Sequence, residues 1–275
     1  MTNEIITSVQ NPLVKRLHQL LSRKGREEQQ RFLVEGAHLV EEALKSGAEV
    51  VTVIYDQQRD MDPACQRALA NHPEAVQVIA ASETVLAKLS ETKSPQGIVA
   101  EVKKTAADWA KWVDQKREEQ DSLLLLFLDE IQDPGNLGTI LRTAEAAAVD
   151  GVVLGSGSVD IYNGKVVRAT MGALFRIPVF TQSLVETADE WKAKGGRVLI
   201  SSLEQNSVSY DEADYAGLTA MVIGNEGRGV SKEMFARADQ FVHIPLYGGA
   251  ESLNAAVAAG IFVYEAQRKR KDRHA

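Results

Sequence analysis

The stretch LLLLFLDEIQDPGNLGTILRTAEAAAVDGVVL, Leu123–Leu154, decides the fold. Six apolar residues in a row, Leu123–Leu128, predict a strand covered on both faces, as strands of parallel sheets are. A turn at Pro134-Gly135 follows. Asn136 stands where it can cap a helix, predicted over Asn136–Val149. Gly151–Leu154 is then a second strand, so the stretch is a βαβ unit. Downstream the alternation continues: helix near Val166–Gly172, strand Ile177–Phe180, helix Leu184–Lys194 and strand Arg197–Ser201. Strand Ala220–Gly224, helix Ser231–Ala238, strand Gln240–Ile244 and helix Ser252–Arg270 complete it. The pattern predicts an α/β domain with a mainly parallel sheet over 122–275.

Upstream, 1–104 read as a smaller α/β unit. Helical spacing marks Asn11–Ser22 and Glu35–Ser46, the latter closed by Gly47. VVTVIYD (Val50–Asp56), AVQVIA (Ala75–Ala80) and GIVAEV (Gly97–Val102) are short β-rich runs, with a Ser-capped helix at Ser82–Glu91 between the last two. The polar segment 105–121 reads as a connecting helix docked by Trp109 and Trp112, which lie one turn apart.

The chain has 275 residues, 44% hydrophobic and 25% charged, a globular balance that argues against a disordered or fibrous chain. No apolar run approaches the roughly 18 residues of a membrane helix, and no signal peptide is visible, so a cytoplasmic location is expected. The single cysteine, Cys65, excludes an internal disulfide and a multi-cysteine metal site, and no metal is expected. The net charge of −7 speaks against a broad nucleic-acid footprint. The bases are clustered, however: Lys15, Arg16, Arg23, Lys24, Arg26 and Arg31 form one group, and Arg268–Arg273 another. Residues 1–121 carry 16 bases against 19 acids and the remainder 15 against 19, so any nucleic-acid binding must use local patches. On charge alone these clusters fit solvated helix faces equally well.

Three loops at C-terminal ends of predicted strands gather glycine and polar residues, where open α/β sheets bind ligands. They are DEIQDPGNLGTILR (Asp129–Arg142), IGNEGRGVS (Ile223–Ser231) and IPLYGGAESLN (Ile244–Asn254). Taken alone, Asn136 fits a plain cap, Arg142 an ion pair with Glu145, Glu226 a partner for Arg228, and Ser252 and Asn254 the start of a tightly packed helix. None of the loops matches the dinucleotide or Walker A fingerprints, and Gly155-Ser-Gly157 is a partial match only.

Together, DPGNLGTILRTAEAAAVDGVVL, IGNEGRGVS and IPLYGGAESLNAAVAAGIFVYEAQR resemble the SpoU (TrmH-type) RNA 2′-O-ribose methyltransferases of the SPOUT class, over nearly all of Leu123–Arg270. FLVEGAHLVEEAL and SPQGIVA resemble the small substrate-binding domain that precedes the catalytic domain in many members. The resemblance implies a deep C-terminal trefoil knot, a rare exception among folds. It also implies a homodimer and S-adenosylmethionine as cofactor. The implied cofactor contacts are Leu203, Ile223, Gly224, Gly227, Ile244, Leu246 and Leu253. The implied catalytic set is Arg142, Asn136, Glu226, Ser252 and Asn254. Ala256 departs from the family pattern, where many members carry serine.

The expected activity is methyl transfer to a ribose 2′-hydroxyl of structured RNA, ribosomal RNA foremost. A tRNA target and a non-catalytic RNA-binding ribosome assembly factor are the alternatives. A guanidinium is effectively always protonated, so Arg142 is expected to hold phosphate and stabilise the developing alkoxide rather than act as base. Lys15, Arg16, Arg23, Lys24, Arg26 and Arg31 are expected to face RNA.

Overall fold

The computed structural model describes residues 5–72, 76–105 and 107–272; Ala75 of the predicted strand and Arg273 of the C-terminal cluster lie outside them. The chain forms two units, 1–105 with 160–176, and 106–159 with 177–275.

In the first unit, α1 (Pro12–Gln19) and α2 (Arg23–Gln29) precede β1 (Arg31–Glu35), α3 (Ala37–Lys45), β2 (Val50–Asp56), α4 (Pro63–Ala70), β3 (Gln77–Ala81), α5 (Glu83–Leu89) and β4 (Ile98–Lys103). The sheet order is β1-β4-β2-β3, antiparallel except for β2 with β3. Side chains alternate between its faces. Phe32, Val34, Ile98, Ala100 and Val102 pack with α3 and α4, whereas Leu33, Val99 and Ile54 pack with α1 and α5. Sequence reading missed β1, α2 and α4. Each is short, and β1 and α2 run together through the charged stretch Arg23–Arg31 without a turn signal.

The second unit opens with α6 (Trp109–Glu119), then β5 (Leu123–Leu128), α7 (Pro134–Ala146) and β6 (Gly151–Leu154). The predicted connecting helix is therefore part of this unit, because Trp109 and Val113 are buried in its core against Phe127, Phe180 and Trp191. A second correction to the domain boundaries concerns α8 (Gly164–Thr170) and the 3-10 turn Ala173–Phe175, which return to the first unit. There Tyr162 and Phe175 pack on Phe32, and Val167 enters the core. Neither feature is visible in local pattern, since it is decided by where an apolar face finds its partner.

The rest of the second unit is β7 (Val179–Thr181), α9 (Leu184–Ala193), β8 (Arg197–Ser201), β9 (Val208–Ser209), β10 (Leu218–Ile223), α10 (Lys232–Phe235), β11 (Gln240–His243) and α11 (Ala255–Asp272). The strand order is β7-β6-β5-β10-β8-β11-β9, with every pairing parallel. All six residues of β5 are buried, as their unbroken apolar run predicts. The chain leaves β5 outward in one direction to β6 and β7, and β10 begins the other half of the sheet. This is the topological switch at which such sheets bind ligands. The two-residue β9 was missed, being too short to carry a pattern.

Candidate active site

The three loops meet beyond the C-terminal ends of β5, β10 and β11. After β5, the helix cap is Asp133 and not Asn136: the Asp133 carboxylate accepts the Asn136 N–H at 2.8 Å. That correction frees the Asn136 side chain, in the first turn of α7, for another task. Its Nδ2 donates to Glu226 Oε1 at 3.0 Å, and its Oδ1 accepts from Asn254 Nδ2 at 2.9 Å. Glu226 also accepts the backbone N–H groups of Asp133 (3.2 Å) and Gln132 (3.3 Å). Asn254 caps α11, with Oδ1 accepting from Ala256 N and Val257 N. One chain of side-chain hydrogen bonds thus joins residues 118 positions apart.

Burial pushes the Glu226 carboxyl upward, but the donors Asn136, Asp133 and Gln132 together outweigh it and hold the group below the ordinary carboxylate range. Both oxygens are engaged, so Glu226 is an anchor for the loop rather than a free base. Asn225 adds a second tether, donating to the Glu130 carbonyl at 2.8 Å. A third, unforeseen one is the buried Asp129, whose Oδ2 accepts the Ser231 N–H at 2.8 Å.

Beside this network lies a cavity of about 350 Å³, within the usual size of small-molecule sites. Of the implied cofactor contacts, Leu203, Ile244, Leu246 and Leu253 line it, together with Ser252 of the implied catalytic set. Ile223, Gly224 and Gly227 do not. Ile223 is buried in β10, and Gly224 lies behind the wall. A Cβ on Gly224 would sit 2.3 Å from Gly229 C and Val230 N, so only glycine lets the two backbone segments cross there. A Cβ on Gly227 would meet Asn225 Oδ1 at 3.7 Å, an ordinary contact. Sequence reading missed Ser201, Ser202, Gly229, Val230, Phe235 and Phe262, whose common feature is position after a strand or on a packing helix. His243 also lines the cavity, with Nδ1 2.9 Å from Ser207 Oγ.

The apolar walls, three serines and close-approaching glycine backbone fit a nucleoside-bearing cofactor such as S-adenosylmethionine. Leu203, Ile244, Leu246, Leu253 and Phe235 would enclose it, with Ser201, Ser202 and loop backbone available as polar contacts.

Arg142, two turns along α7, is exposed and outside the Asn136–Glu226–Asn254 network. Among the described residues no group of three or more His, Cys, Asp or Glu is placed to hold a metal ion, and no helix is long and apolar enough to cross a membrane.

The expected RNA-facing cluster divides. Lys15, Arg23 and Lys24 are exposed. Arg26 is not: its guanidinium is buried against Asp160 Oδ2, 2.9 Å from Nε, and donates to the Leu20 and Leu21 carbonyls. Arg16 and Arg31 turn onto the buried Glu101 carboxylate, at 2.5–2.9 Å, which Thr52 also donates to. Placing Arg26 on RNA is therefore corrected, whereas Arg16 and Arg31 stay about one third exposed while tied to Glu101. Buried carboxylates claim them, because an uncompensated charge in the core costs more than a solvated one gains on phosphate.

Comparison with known proteins agrees with this geometry. The sequence pattern of the SpoU rRNA Methylase family matches residues 123–264, and that of the MRM3-like substrate binding domain matches 11–100. The 23S rRNA (guanosine(2553)-2′-O)-methyltransferase RlmP of Bacillus subtilis is 39% identical over 94% of this chain and 97% of its own length. The AdoMet-bound rRNA methyltransferase of Sinorhizobium meliloti superimposes with a TM-score of 0.83 at 32% identity, over 97% of this chain and 98% of that one. The SpoU methyltransferase AviRb of Streptomyces viridochromogenes, in complex with AdoMet, gives 0.82 at 31% identity, over 94% and 98%. Fold and site thus define an S-adenosylmethionine-dependent RNA 2′-O-ribose methyltransferase. The chain belongs to the SpoU rRNA methylase family.

Proposed function

We propose that this chain methylates a ribose 2′-hydroxyl of 23S ribosomal RNA, at the nucleotide corresponding to guanosine 2553, which its Bacillus subtilis relative is named for. The observation that carries the reading is the Asn254–Asn136–Glu226 chain of hydrogen bonds at the edge of the cofactor-sized cavity. Similarity to the rRNA-directed relatives across both units, and not the catalytic unit alone, supports ribosomal RNA over tRNA. The intact polar set speaks against a non-catalytic assembly factor.

When bound, S-adenosylmethionine supplies an already activated methyl on sulfur, so the protein's tasks are alignment and relief of developing charge. Asn136 and Asn254 present amide groups to the ribose while Glu226 fixes the spacing of the two loops. Ser252, at the cavity wall and exposed, orients the incoming sugar. Arg142 holds a phosphate and stabilises the alkoxide. Its guanidinium keeps its own proton, so the hydroxyl proton leaves to water or a phosphate oxygen. Lys15, Arg23 and Lys24 provide the first unit's RNA contacts.

A homodimer completes the reading. Val257 and Tyr264 lie seven residues apart on one face of α11, each about half exposed, and Tyr247 is almost fully exposed nearby in sequence. That apolar face suits a second copy of the chain. The passage from β10 across β8 to β11, followed by return of α11 against α7 and β10, fits the trefoil knot of the class. A cytoplasmic place of action follows from the substrate.

Ribose-methylation mapping of total RNA with and without the gene tests the substrate: a single lost 23S site is expected. Arg142→Ala is expected to abolish methyl transfer with the cofactor Kd, measured by calorimetry, unchanged within about twofold. Loss of cofactor binding in that variant would remove Arg142 from its role.

A further inference from the structure

We propose that Arg228 binds a phosphate of the substrate RNA and that Glu130 holds it in reserve until RNA arrives. The proposal rests on the RNA methyltransferase reading above. Arg228 lies on the turn 225–229, whose backbone is fixed. Asn225 and Gly229 exchange N–H···O bonds at 2.9 and 3.0 Å, and Asn225 Oδ1 accepts the N–H groups of Gly227 and Arg228 at 3.0 Å. The side chain is the opposite case. It is 70% exposed, and the partner of its guanidinium among the described residues is Glu130 Oε2, at 2.7 Å from Nη2. Two residues away in sequence, Glu226 sits at the centre of the site network. Among the described residues, Arg228 is also the one arginine or lysine that lines the cofactor cavity. A ribose entering beside Asn136, Glu226 and Asn254 brings its own flanking phosphates, the 3′-phosphate on the carbon next to the one that bears the 2′-hydroxyl, to the rim where Arg228 stands.

Glu130 is placed for the holding role. It adopts the left-handed conformation, with φ +56°, unusual for a residue with a side chain. Asn225 fixes its carbonyl, and Gly157 leaves room for its methylenes, since a Cβ there would lie 3.2 Å from Glu130 Cγ. The carboxylate is thereby aimed at Arg228. An exposed pair of this kind contributes little, so a phosphate, which a guanidinium can grip with two parallel hydrogen bonds, displaces it readily. Pairing also masks the cation from random RNA. That suits a chain of net charge −7 whose recognition depends on a particular RNA shape. The exposure of the guanidinium favours a phosphate arriving from solvent over the carboxylate of the cofactor within the apolar cavity.

The test measures RNA affinity against salt for the full-length wild type, Arg228→Gln and Glu130→Gln. The probe is an in vitro 23S rRNA transcript spanning nucleotide 2553, with S-adenosylhomocysteine present. Arg228→Gln is expected to weaken binding about five- to tenfold at 0.1 M salt and to lower the slope of log Kd against log salt by about one. Glu130→Gln, which releases Arg228, is expected to tighten binding about two- to threefold. A merely structural pair would make both variants fail in the same direction, and that result overturns the proposal. So does an unchanged salt slope in Arg228→Gln accompanied by weaker S-adenosylmethionine binding in calorimetry, which would assign Arg228 to the cofactor. If the wild type binds no S-adenosylmethionine at all, the methyltransferase reading fails, while the salt slopes still decide what Arg228 does.

Discussion

Substituting Gly224 by alanine tests the cradle behind the cofactor site. The added Cβ would lie 2.3 Å from Gly229 C and from Val230 N, and 2.6 Å from Gly229 O, all backbone atoms that cannot rotate away. Ordinary contact begins near 3.4 Å, so the two segments must separate by 3.4 − 2.3 = 1.1 Å. Gly229 is tied to Asn225 by two backbone hydrogen bonds of 2.9 and 3.0 Å, and a shift of that size carries both beyond bonding distance. Two lost bonds at ~1 kcal/mol each and overpacking strain of ~1–3 kcal/mol give ~3–5 kcal/mol against the bound arrangement of the loop. Gly229 and Val230 line the cavity, so that cost appears in cofactor affinity. At ~1.4 kcal/mol per factor of ten, the Kd for S-adenosylmethionine rises at least about a hundredfold. Calorimetric titration reads it, and far-UV circular dichroism with a thermal melt establishes that the sheet is intact. A Kd within threefold of wild type, with the melt unchanged, would refute the argument that this crossing needs a glycine.

The remaining predictions concern the first unit. Arg26→Met is expected to lower the thermal midpoint sharply, because it strands the largely buried Asp160 carboxylate, at a cost of ~3–5 kcal/mol; Lys24→Gln, on a side chain 84% exposed, is expected to weaken RNA binding and leave the melt alone. A reversal of those two outcomes would return Arg26 to the RNA surface. Burial pushes Glu101 upward, but Arg16, Arg31 and Thr52 together hold its carboxyl below the ordinary carboxylate range. A depressed carboxylate contributes stability that is present above the unfolded-state pKa and lost as pH falls through the lower folded value. Acid titration of the wild type should therefore show a destabilising step below about pH 4.5, and Glu101→Gln should be weaker at pH 7 and lack that step.

The catalytic unit was legible because its signals are local and repeated. β5 announces itself by six apolar residues in a row, and each glycine-rich loop follows a strand at the place where parallel sheets bind ligands. Residue chemistry was harder to read than residue position. Asn136 looks like a helix cap, and Asp133 three residues earlier has the same qualification. Only the geometry shows that Asp133 takes the cap and releases Asn136 to join Glu226 and Asn254. The cluster Lys15–Arg31 illustrates the opposite error. Its charge is visible in sequence, but its counter-ions, Glu101 and Asp160, are remote in the chain.

Local pattern alone carries the alternation of strands and helices, the parallel sheet, the three loops and the chemistry they resemble. Periodicity and glycine placement act over a few residues and need no partner to be read. Long-range packing assigns α6 to the catalytic core and residues 160–176 to the first unit. It also decides which arginines are spent on buried carboxylates and which polar side chains form one network. Those outcomes depend on which surfaces and charges meet across long separations, where burial makes an unpaired group costly and local pattern carries no record of the partner.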